Sequence, residues 1–271
     1  MQTHPTIFST DSAKAAKATG YGYLNGIHYM APASTGGHGN LCSHASAHCM
    51  ALCLGEYSGQ AAMVKDLEHG TNSVRDSRKN KARLFMTERA TYLNHMARST
   101  QALIRKAERE DLAPCIRLNG STDIAFERIS FVVDEKTAKQ LSNAALAGRV
   151  MTLLQLFPQT QFVDYTKNPN RLGKAPANLH LTLSFAGDNW HACQQALAEG
   201  HNVAIVFRDG LPETYQGWQV VNGDLHDLRH LDPQGATGVI VGLSPKGAKA
   251  KRTQTPFIIE RAQWEPQAIA A

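Results

Sequence analysis

The sequence predicts an α/β fold: a mostly parallel sheet forming a partial or complete (β/α) barrel, with an N-terminal cysteine loop and a long helix. Three observations point there. Short apolar runs, each closed by polar residues or glycine, recur along the chain after residue 112. Segments with helical spacing separate several of them, and strands alternating with helices favour parallel pairing. About seven strand candidates are present, which suits a barrel better than a small doubly wound sheet.

Residues 1–20 read as a polar or weakly helical lead-in, and 21–271 as a single domain. In the Gly-rich stretch that follows, GIHYMAP has the pattern of a short strand running into the loop STGGHGN. A helix is expected from Ala45 to Leu54, with Gly55 as its stop. Residues 73–110 carry the longest helical signal. Ser73 is the expected N-cap, and Leu84, Phe85, Tyr92, Met96, Leu103 and Ile104 recur at roughly helical spacing, in one helix or two. The strand candidates beyond are Cys115–Leu118, Gln161–Tyr165, Leu179–Phe185, Val203–Phe207, Trp218–Val221 and Val239–Leu243. Helices are expected at 136–157, before Pro158, and at 188–199, before Gly200. Alternation in LHLTLSF assigns Leu179, Leu181, Leu183 and Phe185 to the core face, with His180, Thr182 and Ser184 opposite.

Of the 271 residues, 42% are hydrophobic and 19% charged, values that exclude a disordered, collagenous or coiled-coil chain. No apolar run approaches the ~18 residues of a membrane span. The N-terminus lacks the apolar stretch of a signal peptide. A cytoplasmic protein without a membrane partner is expected. The net charge of +5 permits an anionic partner without requiring one. Walker, GxGxxG, HExxH and GxSxG signatures are absent. KGAKAKR (246–252) reads as a basic surface loop, solvated or in contact with phosphate.

Three of the five cysteines, Cys42, Cys49 and Cys53, fall within twelve positions, while Cys115 and Cys193 stand apart. An odd count argues against a disulfide framework. Cys49 and Cys53, four apart, would share one face of a helix, and Cys42 would approach from the Gly-rich loop. Core packing is one use of such residues. A closed zinc site is another, with His38, His44 or His48 as the fourth ligand. A [4Fe–4S] cluster is the third, with three cysteines leaving one iron open. The absence of CxxC pairs tilts the choice toward iron–sulfur.

Barrel sites form where strands end, and the strand ends carry Asn119, Ser121, Asp123, Asp164, Lys167, Asn222 and Asp224. Asn119, Ser121 and Asp123 suit the amino or ribose hydroxyl groups of a nucleoside cofactor, or else a capped turn. Asn222 and Asp224 are a second cofactor-binding pair. Asp164 and Lys167 are the candidate catalytic residues. Alternation points Asp164 inward, where it needs a partner, Arg117 or Lys167. Asp224, Asp227, Arg229 and Asp232 read as a surface ion-pair network. Cys115 is expected in the core and Cys193 on a helix.

The segment MAPASTGGHGNLCSHASAHCMALCLG, the arginine-rich helix, IRLNGSTDI, FPQTQFVDYTK, NLHLTLSF, NVAIVF, VVNGDLHDLRHLDP and VIVGL together resemble a family of phage and mobile-element proteins, the gene product eighty-eight type, over about residues 20–245. The family's three-cysteine motif followed by β/α units looks like a radical S-adenosylmethionine (SAM) enzyme. The resemblance implies that Cys42, Cys49 and Cys53 hold a [4Fe–4S] cluster whose fourth iron takes the amino and carboxylate groups of SAM. It also implies an electron donor, a nucleotide, nucleic-acid or peptide substrate, and a host-cell cytoplasmic setting. The sequence departs from Cys-x3-Cys-x2-Cys, its gaps being six and three, and Leu52 stands where an aromatic residue is usual. The competing expectation is a zinc-stabilised nucleic-acid-binding or host-interaction protein, in which the basic helix 75–83 (Arg75, Arg78, Lys79, Lys81 and Arg83) tracks phosphates.

Overall fold

The computed structural model describes residues 5–11 and 13–264. Strand β1 (Phe8–Ser9) and helix α1 (Ala13–Thr19) precede β2 (Tyr23–His28). Short helices α2 (Ala47–Ala51) and α3 (Leu54–Tyr57) carry the cysteine segment. Long helices α4 (Ser73–Thr87) and α5 (Arg89–Arg109) lead into β3 (Ala113–Arg117). Next come β4 (Ser130–Val132), α6 (Glu135–Gln140), β5 (Val150–Thr152) and α7 (Leu153–Leu156). Then follow β6 (Gln161–Thr166), β7 (Leu179–Ser184), α8 (Trp190–Ala198) and β8 (Val203–Phe207). The chain continues through β9 (Thr214–Tyr215), β10 (Trp218–Asn222), β11 (Ile240–Leu243), α9 (Ala248–Arg252) and β12 (Ile258–Ile259).

The main sheet runs β1-β2-β3-β6-β7-β8-β11-β10-β9. Every pairing from β2 to β10 along that path is parallel. Antiparallel β1 and β9 finish the two edges. The run β2-β3-β6-β7-β8 has the sequential order of a barrel wall, but among the described residues no pairing of the edges closes it. The expected mixed α/β fold with a mostly parallel sheet is present. β7 pairs with β8 only at Val203 and Ala204, and β12 takes the vacated edge at Val206 and Phe207. The sheet therefore forks toward its C-terminal end.

One sheet face is covered by helices. Ile116, Leu118, Phe162, Leu179 and Leu181 pack in one cluster with α4 and α5 residues such as Phe85, Leu93 and Met96. Leu183, Ile205 and Phe207 pack with Cys193 and Leu197 of α8. Helix α5 lies so close that a Cβ on Gly26 would come within 2.3 Å of Leu103 Cδ1. On the opposite face Cys115 and Val163 pack with Ala18 of α1 and Leu228. The alternation read for Leu179–Phe185 is the one observed.

Four boundary expectations are corrected. The boundary at residue 20 does not set the lead-in apart, since β1 pairs with β2 and Ala18 of α1 is fully buried. The helix expected from Ala45 to Leu54 breaks after Ala51, and Gly55 lies inside α3. The 73–110 run is two helices, one of the two expected forms, divided at Glu88 (φ −133°), but its N-cap is Asn72 in place of Ser73, its side chain accepting from Arg75 N. The 136–157 helix is instead α6, the hairpin partner β5 and α7, with Ser142 and Gly148 at positive φ interrupting any helix.

Candidate functional site

At the C-terminal ends of β3, β6, β7, β8 and β11 the opposite face opens into a cavity of about 310 Å3. Cys42, Cys49 and Cys53 all line it. That is where ligands sit in parallel α/β sheets, because loops gather there and the strand ends leave polar groups.

Local chemistry places each cysteine. The Gly-rich loop turns at Gly37 and Gly39, both at positive φ, and closes through Leu41 N to Ala33 O at 3.0 Å. Ala33 N then donates to Cys42 Sγ at 3.3 Å. Ser46 caps α2 by accepting from Cys49 N at 3.1 Å, and its hydroxyl donates to Ala186 O at 2.8 Å, fastening α2 beside the end of β7. Cys53 is the N-cap residue of α3, not a further turn of α2. The shared-helix-face argument is thus corrected: the sulfurs meet at one cavity through a helix break.

Two arginines of α4 hold the segment after Cys53. Arg75, 4% exposed, donates to the carbonyls of Ala61 (2.8 Å), Gly70 (2.7 Å), Glu56 (2.9 Å) and Leu67 (3.0 Å). Arg78 donates to Gly55 O and lies over the Tyr29 ring. Lys81 is also buried, and burial lowers its pKa to about 8. Three of the five cations expected to track phosphates are therefore turned inward, leaving Lys79 and Arg83 toward solvent.

Burial pushes the Cys53 thiol up to about 12, and the neighbouring Cys49 and Cys42 add to the rise. Burial likewise raises Cys42, with Asp123 and Cys49 adding to it and Lys167 opposing. Without a metal these two thiols stay protonated near neutrality, so any metal must displace protons on binding. Among the described residues no group of three or more His, Cys, Asp or Glu is arranged to hold a single metal ion. Among the described residues no histidine lines the cavity, so the zinc cage at Cys42, His48, Cys49 and Cys53 is not preformed. A cubane cluster takes each cysteine on a different iron and does not need sulfurs converging on one point. Three thiols lining one cavity are the donor type such a cluster takes.

The strand-end residues divide. Asn119, Ser121, Asp123 and Lys167 line the cavity. Asn119 is consumed by its turn: Nδ2 donates to Asp164 and Ile124 O, and Oδ1 accepts from Ile124 N and the Thr122 hydroxyl. The Ser121 hydroxyl donates to Met30 O at 2.6 Å. Asp123 accepts from Arg171 Nη1 and Lys167 N, both at 2.8 Å. Asp164 lies behind the wall, 1% exposed, and its partner is Asn119, not Arg117 or Lys167. Asn222 and Asp224 are not on the wall. Asp224 is bound by Lys246 Nζ at 2.6 Å and Ser244 N at 2.9 Å.

The surface ion-pair network is a second correction. Asp227, Arg229 and Asp232 are 1%, 0% and 7% exposed. Their segment folds back across the sheet, where Arg117 Nη1 donates to Asp227 at 2.8 Å and the Tyr165 hydroxyl donates to Asp227 at 3.2 Å. Arg117 and Tyr165 also line the cavity, so this buried trio supports its floor. Cys115 is fully buried and Cys193 lies on α8, both as expected, and Cys193 is fully buried as well. Sequence reasoning missed Phe257 and Ile258 and read Lys246 only as part of a basic loop; all three close one side of the cavity. They sit on loops and a two-residue strand, which carry no periodic signal.

Among the described residues no helix is long and apolar enough to cross a membrane. A family model described as "Gene product 88" matches residues 6–261. No curated protein and no solved structure matches the chain.

Proposed function

This chain belongs to the phage gene product 88 family, and from that premise we propose that it is an iron–sulfur enzyme of the radical SAM type. The observation that carries the reading is that Cys42, Cys49 and Cys53 share one cavity at the C-terminal mouth of parallel strands. Cys42, Cys49 and Cys53 would hold a [4Fe–4S] cluster, one ligand to each of three irons, leaving the fourth for the amino and carboxylate groups of SAM. When bound, that pair supplies reductive cleavage of a carbon–sulfur bond and so a carbon-centred radical for abstracting hydrogen from substrate.

The chain's own part is to shelter and orient. Phe185, Val206, Phe257 and Ile258 give the cavity an apolar wall that excludes water from a reactive centre. The turn from Asn119 to Asp123, braced by Asp164, fixes the wall facing Cys42, and Cys42 Sγ lies 3.8 Å from Ser121 O. Asp164 therefore acts through Asn119 as a positioning residue. Lys167 lines the cavity directly and can bind substrate there. Nucleotide, nucleic acid and peptide remain the substrate classes of the reading.

The test is turnover. Oxygen-free protein given SAM and a chemical reductant should release 5′-deoxyadenosine. An intact cluster that releases none would contradict the radical assignment.

A further inference from the structure

The cavity wall carries five formal charges: Glu56, Asp123, Arg117, Lys167 and Lys246. Four are neutralised by a named partner. Glu56 faces Arg75 Nε at 3.4 Å, and Asp123 takes Arg171 Nη1 at 2.8 Å. Arg117 pairs with Asp227 at 2.8 Å, and Lys246 with Asp224 at 2.6 Å. Lys167 is the exception. Among the described residues its ammonium makes no ion pair and no hydrogen bond, and its neighbour is the Phe257 ring, 5.9 Å away. The other arginine near this wall, Arg171, is already shared between Asp123 and Glu127.

A cation lining the cavity with no counter-charge among the described residues is placed to receive an anion there. We infer that the cavity takes an organic anion, its carboxylate or phosphate received by Lys167 Nζ and its apolar body lying against Phe257 and Phe185. The inference deepens the proposed function, whose substrate it would be, and rests on that reading only for the role of the ligand. SAM does not answer the charge, since in that reading its carboxylate is held by iron. The rival counter-charge is the thiolate set, because Lys167 acts electrostatically on Cys42. The anion assignment predicts that Lys167 is dispensable for loading iron.

Metal-free protein is titrated with deoxyadenosine monophosphate against deoxyadenosine, and with benzoate against benzamide. One arm reads a phosphate ester and the other a carboxylate. In the wild type at least one charged probe should bind roughly tenfold tighter than its neutral twin, the scale of one charge-assisted hydrogen bond. Lys167→Gln should abolish that preference, and Lys167→Arg should restore most of it. Reconstituted Lys167→Gln should retain wild-type iron content. Equal binding of charged and neutral twins, binding of neither, or a preference surviving in Lys167→Gln would overturn the inference. So would loss of iron in Lys167→Gln, which would give the charge to the thiolates. Failure of the wild type to load iron would contradict the proposed function while leaving the anion preference standing.

Discussion

Asn119 and Asp164 are joined twice: the backbone and side-chain amides of Asn119 both donate to the Asp164 carboxylate, at 3.0 and 2.5 Å. The pair ties the end of β6 to the turn that faces Cys42. Burial pushes the Asp164 carboxyl up to about 7, against the pull of Arg171, Arg117 and the two Asn119 donors. The folded chain therefore keeps a proton that the unfolded chain releases at about pH 4. Stability from this group is greatest below that point and falls as pH rises toward about 7. Asp164→Asn should flatten that slope in urea melts across the window. It should also cost about 1–3 kcal/mol, because the new amide sets a donor against donors. A slope unchanged by the substitution would contradict the assignment.

Arg75 gathers four carbonyls between Glu56 and Gly70, an arrangement that needs the forked guanidinium. Arg75→Lys should lower unfolding free energy by about 3 kcal/mol, since most of those buried acceptors lose their donor. It should also reduce iron loading, because Cys53 opens the segment these bonds hold. Denaturant melts and iron analysis of the same preparation check both effects.

Asp227→Ala strands Arg117 in a site where Asp227 holds its guanidinium well above the usual arginine range despite burial. Breaking one half of a buried pair costs about 3–5 kcal/mol. The double variant Arg117→Met with Asp227→Ala should recover much of that loss. A double variant no more stable than Asp227→Ala would show that the pair is not what the site depends on.

The metal-free cysteines make a kinetic prediction. Cys42 and Cys53 are raised by burial, so each should react with iodoacetamide more slowly than free cysteine at about pH 8, with the rate still climbing at higher pH. Mass-spectrometric mapping of alkylation against pH reads this directly. Fast labelling of Cys53 at neutral pH would contradict its placement.

Much of the parallel sheet was legible because four- to seven-residue apolar runs carry a signal that survives without context. Val203–Phe207 reads the same in sequence and structure. Strands of two or three residues carry no period, which is why β1, β12 and the β4–β5 hairpin were missed. The break between Cys49 and Cys53 was hidden for another reason. Met50, Ala51 and Leu52 are good helix formers, and the next helix is seated by tertiary contact, with Gly55 packed against Ser121 and Pro32. Asp227 looked solvated because its partner Arg117 lies 110 positions away. The cysteine segment and the Asn119–Asp123 and Lys167 strand ends were readable by clustering and position. Phe257 was not, since the forked sheet brings it to the cavity, and Lys246 was legible only as part of a basic loop.

The most direct test is iron and acid-labile sulfide analysis of oxygen-free protein, beside the triple variant Cys42→Ala, Cys49→Ala, Cys53→Ala. A cubane cluster at this site predicts about four irons and four sulfides per chain, with visible charge-transfer absorbance, all lost in the triple variant. Wild-type protein carrying no iron, or a triple variant keeping its iron, would contradict the account.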